Sequence, residues 1–174
     1  IMDKGQISKA VMVNMTPVAD MKDAALAKLP ETLSEEERQQ AEKEVDLRLI
    51  GRLERRNLWT CQMAKENPRL IPFIGLDPIM SPKLMRSEIL DKVKNHGAKG
   101  IKIQSAAQRF YPYDPRLWLA YETAAELGLP VVFHSGGVGP LSKFALPQLF
   151  AQVASAFPRL TIVLAHLGLG YWDQ

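Results

Sequence analysis

Two histidines follow short apolar runs directly. His134 closes Val131–Val132–Phe133–His134 and leads into Ser135–Gly136–Gly137. His166 closes Ile162–Val163–Leu164–Ala165–His166 and leads into Leu167–Gly168. A neutral imidazole is a good ligand for zinc or a similar metal and a good general base near neutral pH. A single histidine in such a place is more often a hydrogen-bonded structural residue. Two at matching strand-to-glycine junctions shift the balance toward a shared site.

A third apolar run, Gly100–Ile101–Lys102–Ile103–Gln104, carries polar residues at alternate positions. Side chains alternate across a strand, so packing Ile101 and Ile103 on helices leaves Lys102 and Gln104 on the other face. Lys102 then orients an anionic substrate, becomes a carbamylated metal ligand, or simply snorkels to solvent. By the same rule, His134 facing inward carries Val132 with it, and His166 facing inward carries Leu164 and Ile162. Three neighbouring strands would bring Lys102, Gln104, His134 and His166 to one mouth. The loop Arg109–Phe110–Tyr111–Pro112–Tyr113 is either a lid, with Arg109 meeting an aromatic or carboxylate substrate, or packing on the rim. Gly136–Gly137–Val138–Gly139 matches no phosphate-binding spacing. His96 reads as a helix-terminal residue facing the dipole, Cys61 as packing, and the methionines as core filler.

These residues need a scaffold of alternating elements. Apolar blocks at Ala10 to Asn14, Leu70 to Leu76, Gly100 to Gln104, Val131 to His134 and Leu160 to His166 are rich in Val and Ile and too short for free-standing helices. Their continuous apolar character suits parallel strands covered by helices. Pro72 conflicts with a central strand unless it sits near the strand's start. Ser81–Pro82 opens a helix that Gly97 ends; Asp114–Pro115 opens another that Gly128 ends. A further helix spans Phe144 to Phe157, with Pro147 marking its first turn. The longest helical stretch, Ser34 to Asn67, is divided by Gly51, and Glu44 and Arg48 within it are spaced to pair.

Strand–helix alternation at this spacing means right-handed βαβ units. Five such units fit an open doubly wound sheet or part of a (β/α)₈ barrel. The chain has 174 residues, one domain's worth, whereas a whole barrel takes roughly 250. At 47% hydrophobic and 24% charged residues it has the balance of a soluble globular domain. A net charge of +3 gives no argument for nucleic acid, and no apolar run approaches a membrane span. With Cys61 alone no internal disulfide forms, which fits a cytoplasmic, reducing location.

Three blocks carry a family resemblance: Gly97–Ala98–Lys99–Gly100–Ile101–Lys102–Ile103, Gly128 through Gly136, and Phe157–Pro158–Arg159–Leu160 through Gly168. Their order and spacing resemble the amidohydrolase-related branch of the amidohydrolase superfamily, metal-dependent hydrolases and aromatic-acid decarboxylases on a (β/α)₈ barrel. The resemblance implies a TIM-type α/β barrel. His134 matches the metal-ligand histidine after the fifth strand. His166 matches the catalytic histidine after the sixth, and Lys102 and Gln104 match the variable fourth-strand end. It implies a divalent metal, zinc first, with manganese or iron as alternatives. It implies a small-molecule substrate, a carboxylate or an ester or amide, with a homo-oligomer allowed. The family's first-strand His-x-His is missing, since the histidines are 96, 134 and 166, and Asp173 is too close to His166 to be the eighth-strand aspartate. The expectation is therefore one partial barrel domain over 1–174, strands two to six. Its leading function is metal-dependent hydrolysis, with non-oxidative decarboxylation of an aromatic or unsaturated acid as the alternative. A catalytically silent binding or scaffold domain is the reading of a different class.

Overall fold

The computed structural model describes residues 2–137 and 139–171. The order of elements is β1 (Ala10–Val13), α1 (Val18–Leu26), α2 (Glu35–Glu66), β2 (Leu70–Gly75), α3 (Pro82–His96), β3 (Gly100–Ile103), α4 (Ser105–Gln108), α5 (Trp118–Glu126), β4 (Val131–Gly136), α6 (Pro147–Ala156) and β5 (Ile162–Leu169). Short 3₁₀ turns precede α5 and α6. The five strands are all parallel and lie in sequence order β1-β2-β3-β4-β5. They form a curled half-barrel with the helices outside, a partial TIM barrel rather than an open doubly wound sheet.

The helix signals act where the sequence puts them. The Ser81 side chain accepts from Leu84 N–H, Pro82 sits at the first helical position, and Gly97 ends α3 in the left-handed conformation at φ 77°. The capping box Ser34/Glu37 opens α2. Two boundaries depart from expectation. Gly51 does not divide α2, because its cost of about 1 kcal/mol in a helix interior is outweighed where Val45, Leu49 and Leu53 pack against the core. The last helix does not reach back to Phe144, since residues 140–144 form a separate 3₁₀ turn; it begins at Pro147, the residue expected to mark its first turn.

Pro72 is the third residue of β2, paired with Met12. Its carbonyl accepts from Lys99 N–H at 2.9 Å, so its missing donor would point toward β3. Pairing between β2 and β3 starts only at Phe73↔Gly100, one residue later. The proline therefore occupies a point where no ladder bond is due.

The core lies between the outer sheet face and the helices. Ile74, Ile101, Ile103, Val131 and Phe133 pack on Met85, Ile89, Tyr121 and Phe150. Phe133 meets Phe150 at 5.0 Å and Tyr121 at 6.0 Å, and the Tyr121 hydroxyl donates to Pro112 C=O. A second, polar anchor sits under β1 and β2. Buried Asn57 of α2 accepts from Asn14 Nδ2 and from Gly75 N–H, and donates to Gly75 C=O and Glu88. The concave face is uncovered: Val11, Val13 and Val163 are 50%, 44% and 42% exposed.

Candidate active site

Strand register fixes which side chains share the concave face. Lys102 pairs with Val132, Val132 with Val163, and His134 with Ala165. Phe133 and Leu164, their in-register neighbours, pack on the helix side. His134 therefore faces the barrel interior with Val132 and Lys102, as the alternation in the sequence predicts.

His166 arrives differently, and the expected alternation is corrected. Ile162 and Leu164 face the helices while Val163 is exposed on the concave side. Regular alternation would send His166 toward the helices as well. Instead His166 and Leu167 adopt φ 65° and 51°, and the register jumps from His134↔Ala165 to Gly136↔Leu169. Two extra residues of β5 are looped out in this bulge, and bulges re-aim side chains. The two imidazole rings consequently lie 4.9 Å apart at 66° to each other. Left-handed backbone at non-glycine residues costs of order 1–3 kcal/mol each and gathers at functional sites.

The bulge is held from β4. Fully buried Ser135 donates its hydroxyl to Ala165 C=O at 2.6 Å and accepts from Gly168 N–H at 3.1 Å, spanning the two ends of the irregular stretch. Gly136 has φ 76°, and a Cβ there would collide with the backbone of Gly168 and Leu169. The glycine after Ser135 is thus required by a close backbone approach and a positive φ together. The middle of the glycine-rich loop, Val138, lies outside the described residues, as does Asp173.

Electrostatically the site is basic. Burial, then the Lys102 charge, then His166 hold the His134 imidazole below its ordinary pKa, which keeps it in the neutral, ligating form. Lys102 is only 8% exposed, and burial pushes its ammonium down to about 8. It donates to Ile103 C=O and to Gln104 Oε1 at 3.2 Å, so Gln104 joins it at the β3 end. Among the described residues no carboxylate lies within ion-pair distance of Lys102.

Arg109 is not brought to the histidines. It forms ion pairs with Asp20 and with Asp23 (2.6 Å) of α1, tying the loop after β3 to the first helix. The aromatic loop packs on the rim: Tyr111 stacks on Tyr113 and meets Phe144 at 5.0 Å. Cys61 is buried, and burial raises its thiol to about 11, as a packing residue requires. One strand-end carboxylate escaped the sequence reading. Asp77, just past β2, is buried and pushed up to about 6 by that burial, while Ile79 N–H and Gln108 Nε2 donate to it. Its signal was its place after Gly75–Leu76, where an apolar strand block ends in an acid.

The neutral, inward His134 imidazole fits a divalent metal, whose nitrogen ligands sit at about 2.0–2.1 Å for zinc, and the His166 ring, 4.9 Å away, is near enough to act on a group held there. No cluster of three or more His, Cys, Asp or Glu that could hold a metal by itself occurs among the described residues. No helix among them is long and apolar enough to cross a membrane.

The sequence profile of the amidohydrolase family matches residues 15–174. No curated protein sequence matches. Among solved structures, 5-carboxyvanillate decarboxylase from Novosphingobium aromaticivorans, bound to manganese and 4-hydroxy-3-methoxy-5-nitrobenzoic acid, is 20% identical with a TM-score of 0.64 over 99% of this chain and 49% of its own. 2,6-Dihydroxybenzoate decarboxylase from Rhizobium is 18% identical with a TM-score of 0.65, over 97% of this chain and 55% of its own. A TIM-barrel protein from Bordetella bronchiseptica is 17% identical with a TM-score of 0.61, over 95% and 69%. The chain spans about half the length of the two decarboxylases. At these identities the likeness establishes the fold.

Proposed function

Because the chain belongs to the amidohydrolase family, we propose that it forms the central part, strands two to six, of a metal-dependent barrel enzyme that acts on a small carboxylic acid by releasing carbon dioxide. The observation that carries this reading is the His134–His166 pair at 4.9 Å beside a buried lysine with no acidic partner among the described residues. A concave face furnished with imidazoles and an ammonium favours an anionic substrate. The two decarboxylases of like fold fit the reading, and one of them holds manganese with an aromatic acid.

His134, neutral and inward, would hold the divalent metal, manganese or zinc. When bound, that metal supplies positive charge to orient a carboxylate or to acidify a water. Lys102 draws the substrate carboxylate to the β3 end, and Gln104 fixes the ammonium's direction through its Oε1. His166 carries the proton that the ring carbon takes up as its bond to the carboxyl carbon breaks and carbon dioxide leaves. Hydrolysis is the second reading, with His166 accepting the proton of the attacking water.

Metal content and carbon dioxide release from a panel of hydroxylated benzoates, measured on the complete open reading frame, test this proposal. His134→Ala should lose most of the metal and the activity together. His166→Ala should keep metal while kcat falls roughly 10²–10⁴-fold, the scale of general acid–base catalysis. The reverse pattern would exchange the two roles. Full activity in both variants would remove both residues from the site. Ester or amide turnover without carbon dioxide release would favour hydrolysis.

A further inference from the structure

A single peptide unit holds Lys102, the buried cation of the concave face. The ammonium donates to Ile103 C=O at 3.1 Å and to Gln104 Oε1 at 3.2 Å. An ammonium has three donors, so one is left for a ligand. The N–H of that same peptide unit, the Gln104 amide, donates to Gln108 Oε1 at 2.9 Å. Gln108 Nε2 in turn donates to Leu76 C=O at 2.9 Å and to Asp77 Oδ2 at 2.8 Å. Asp77 is 5% exposed, and its other oxygen accepts from Ile79 N–H at 2.8 Å. The bonds therefore run in one sense, from the Lys102 ammonium through the 103–104 peptide and the Gln108 amide to the Asp77 carboxylate. Hydrogen bonds chained in this way polarise one another. The Gln108 amide cannot turn over, because its NH₂ would then face the Gln104 N–H and its oxygen would face two acceptors. A helix cap explains only part of this. Gln108 ends the four-residue α4 and grips its N-cap, Gln104, but a cap has no need of the bridge to the end of β2.

We propose that Gln108 and Asp77 are positioning residues for Lys102: they hold the 103–104 peptide so that the ammonium keeps its third donor for a substrate carboxylate. This rests on the reading of Lys102 as the carboxylate's anchor. Main-chain pairing between β2 and β3 ends at Gly75↔Lys102. Beyond that rung the Gln108 amide, bonded to Leu76 on one side and Gln104 on the other, carries the connection between the two strand ends. Without it nothing on the β2 side fixes the peptide that aims Lys102. The placing of the acid follows from the same chemistry. A carboxylate paired directly with Lys102 would compete with the substrate for the ammonium. Two amides away, Asp77 polarises the carbonyl to which Lys102 donates and leaves the ammonium itself open.

The test uses the product of the complete open reading frame, loaded with metal, and two probes alike in shape but not in charge, 4-hydroxybenzoate and 4-hydroxybenzamide, titrated by calorimetry. The acid should bind more tightly than the amide, and Lys102→Met should remove most of that difference. Gln108→Glu and Asp77→Asn keep the shape of each side chain but set two acceptors, or two donors, face to face. Each should weaken the acid about tenfold, the scale of one lost hydrogen bond to a charged group, and the amide by less than about twofold, with metal content unchanged. In the double variant the new amide donates to the new carboxylate, so the acid should regain at least about threefold, with Leu76 C=O alone left unpaired. Acid binding that survives Gln108→Glu and Asp77→Asn but not Lys102→Met would overturn the positioning role and leave Lys102 as the anchor. Equal losses for acid and amide, or a double variant that regains nothing, would reduce the two residues to bracing and overturn it as well. Acid binding intact in Lys102→Met would remove the anchor itself, and the positioning role with it.

Discussion

Replacing Lys102 by methionine should make the fold more stable while destroying the site. Lys102 is 8% exposed and lacks an acidic partner among the described residues, and burial lowers its pKa from 10.5 to about 8. A depressed lysine binds fewer protons folded than unfolded, so stability rises with pH across the window between those two values. At pH 7.5 the shift corresponds to a penalty of about 3 kcal/mol, at 1.36 kcal/mol per unit, and at pH 9.5 to about 1.5 kcal/mol. Water reaching the uncovered concave face reduces both figures, and the ratio of about two between them is the firmer expectation. Methionine fills a similar volume with no charge, and its loss of two hydrogen bonds leaves Ile103 C=O and Gln104 Oε1 to water. Urea unfolding followed by tryptophan fluorescence, at pH 7.5 and 9.5, measures the difference. Lys102→Met should exceed the parent by about 2–3 kcal/mol at the lower pH and by about half that at the higher. A variant less stable than the parent at pH 7.5, or a gap that does not shrink as pH rises, would refute the claim that this lysine is buried at electrostatic cost.

Gly136→Ala should destabilise by about 3 kcal/mol or more by chemical denaturation, since it combines φ 76° with collision against Gly168 and Leu169. Ser135→Ala should cost about 1–3 kcal/mol and also free the bulge, so that the His166 ring resonances lose their contacts with His134 by NMR. Asn57→Leu should cost about 3 kcal/mol in the same unfolding assay, because it strands the Gly75 amide and carbonyl and the Asn14 amide in a buried place.

Much of this protein was legible because it is local. Val and Ile runs bounded by Gly and Pro locate all five strands, since a β-branched pleat is read from a few adjacent residues. Ser81–Pro82 and Gly97 delimit α3 because caps answer to the helix's own unpaired groups. The inward side of His134 and Lys102 was also readable, because both sit on regular stretches where period two holds. His166 defeats the same rule. Its inward turn depends on left-handed backbone at residues 166 and 167, braced by Ser135 and given room by Gly136 on the neighbouring strand. A bulge is a property of a strand pair, so no single-strand pattern announces it. Arg109 was a plausible anion binder by type, but its partners Asp20 and Asp23 lie more than eighty residues away in sequence, on a helix whose position only the folded sheet sets. Which residues can do chemistry is written in their types. Whether they meet at one point, and with what charge around them, is decided by strand register and burial, which are long-range by nature.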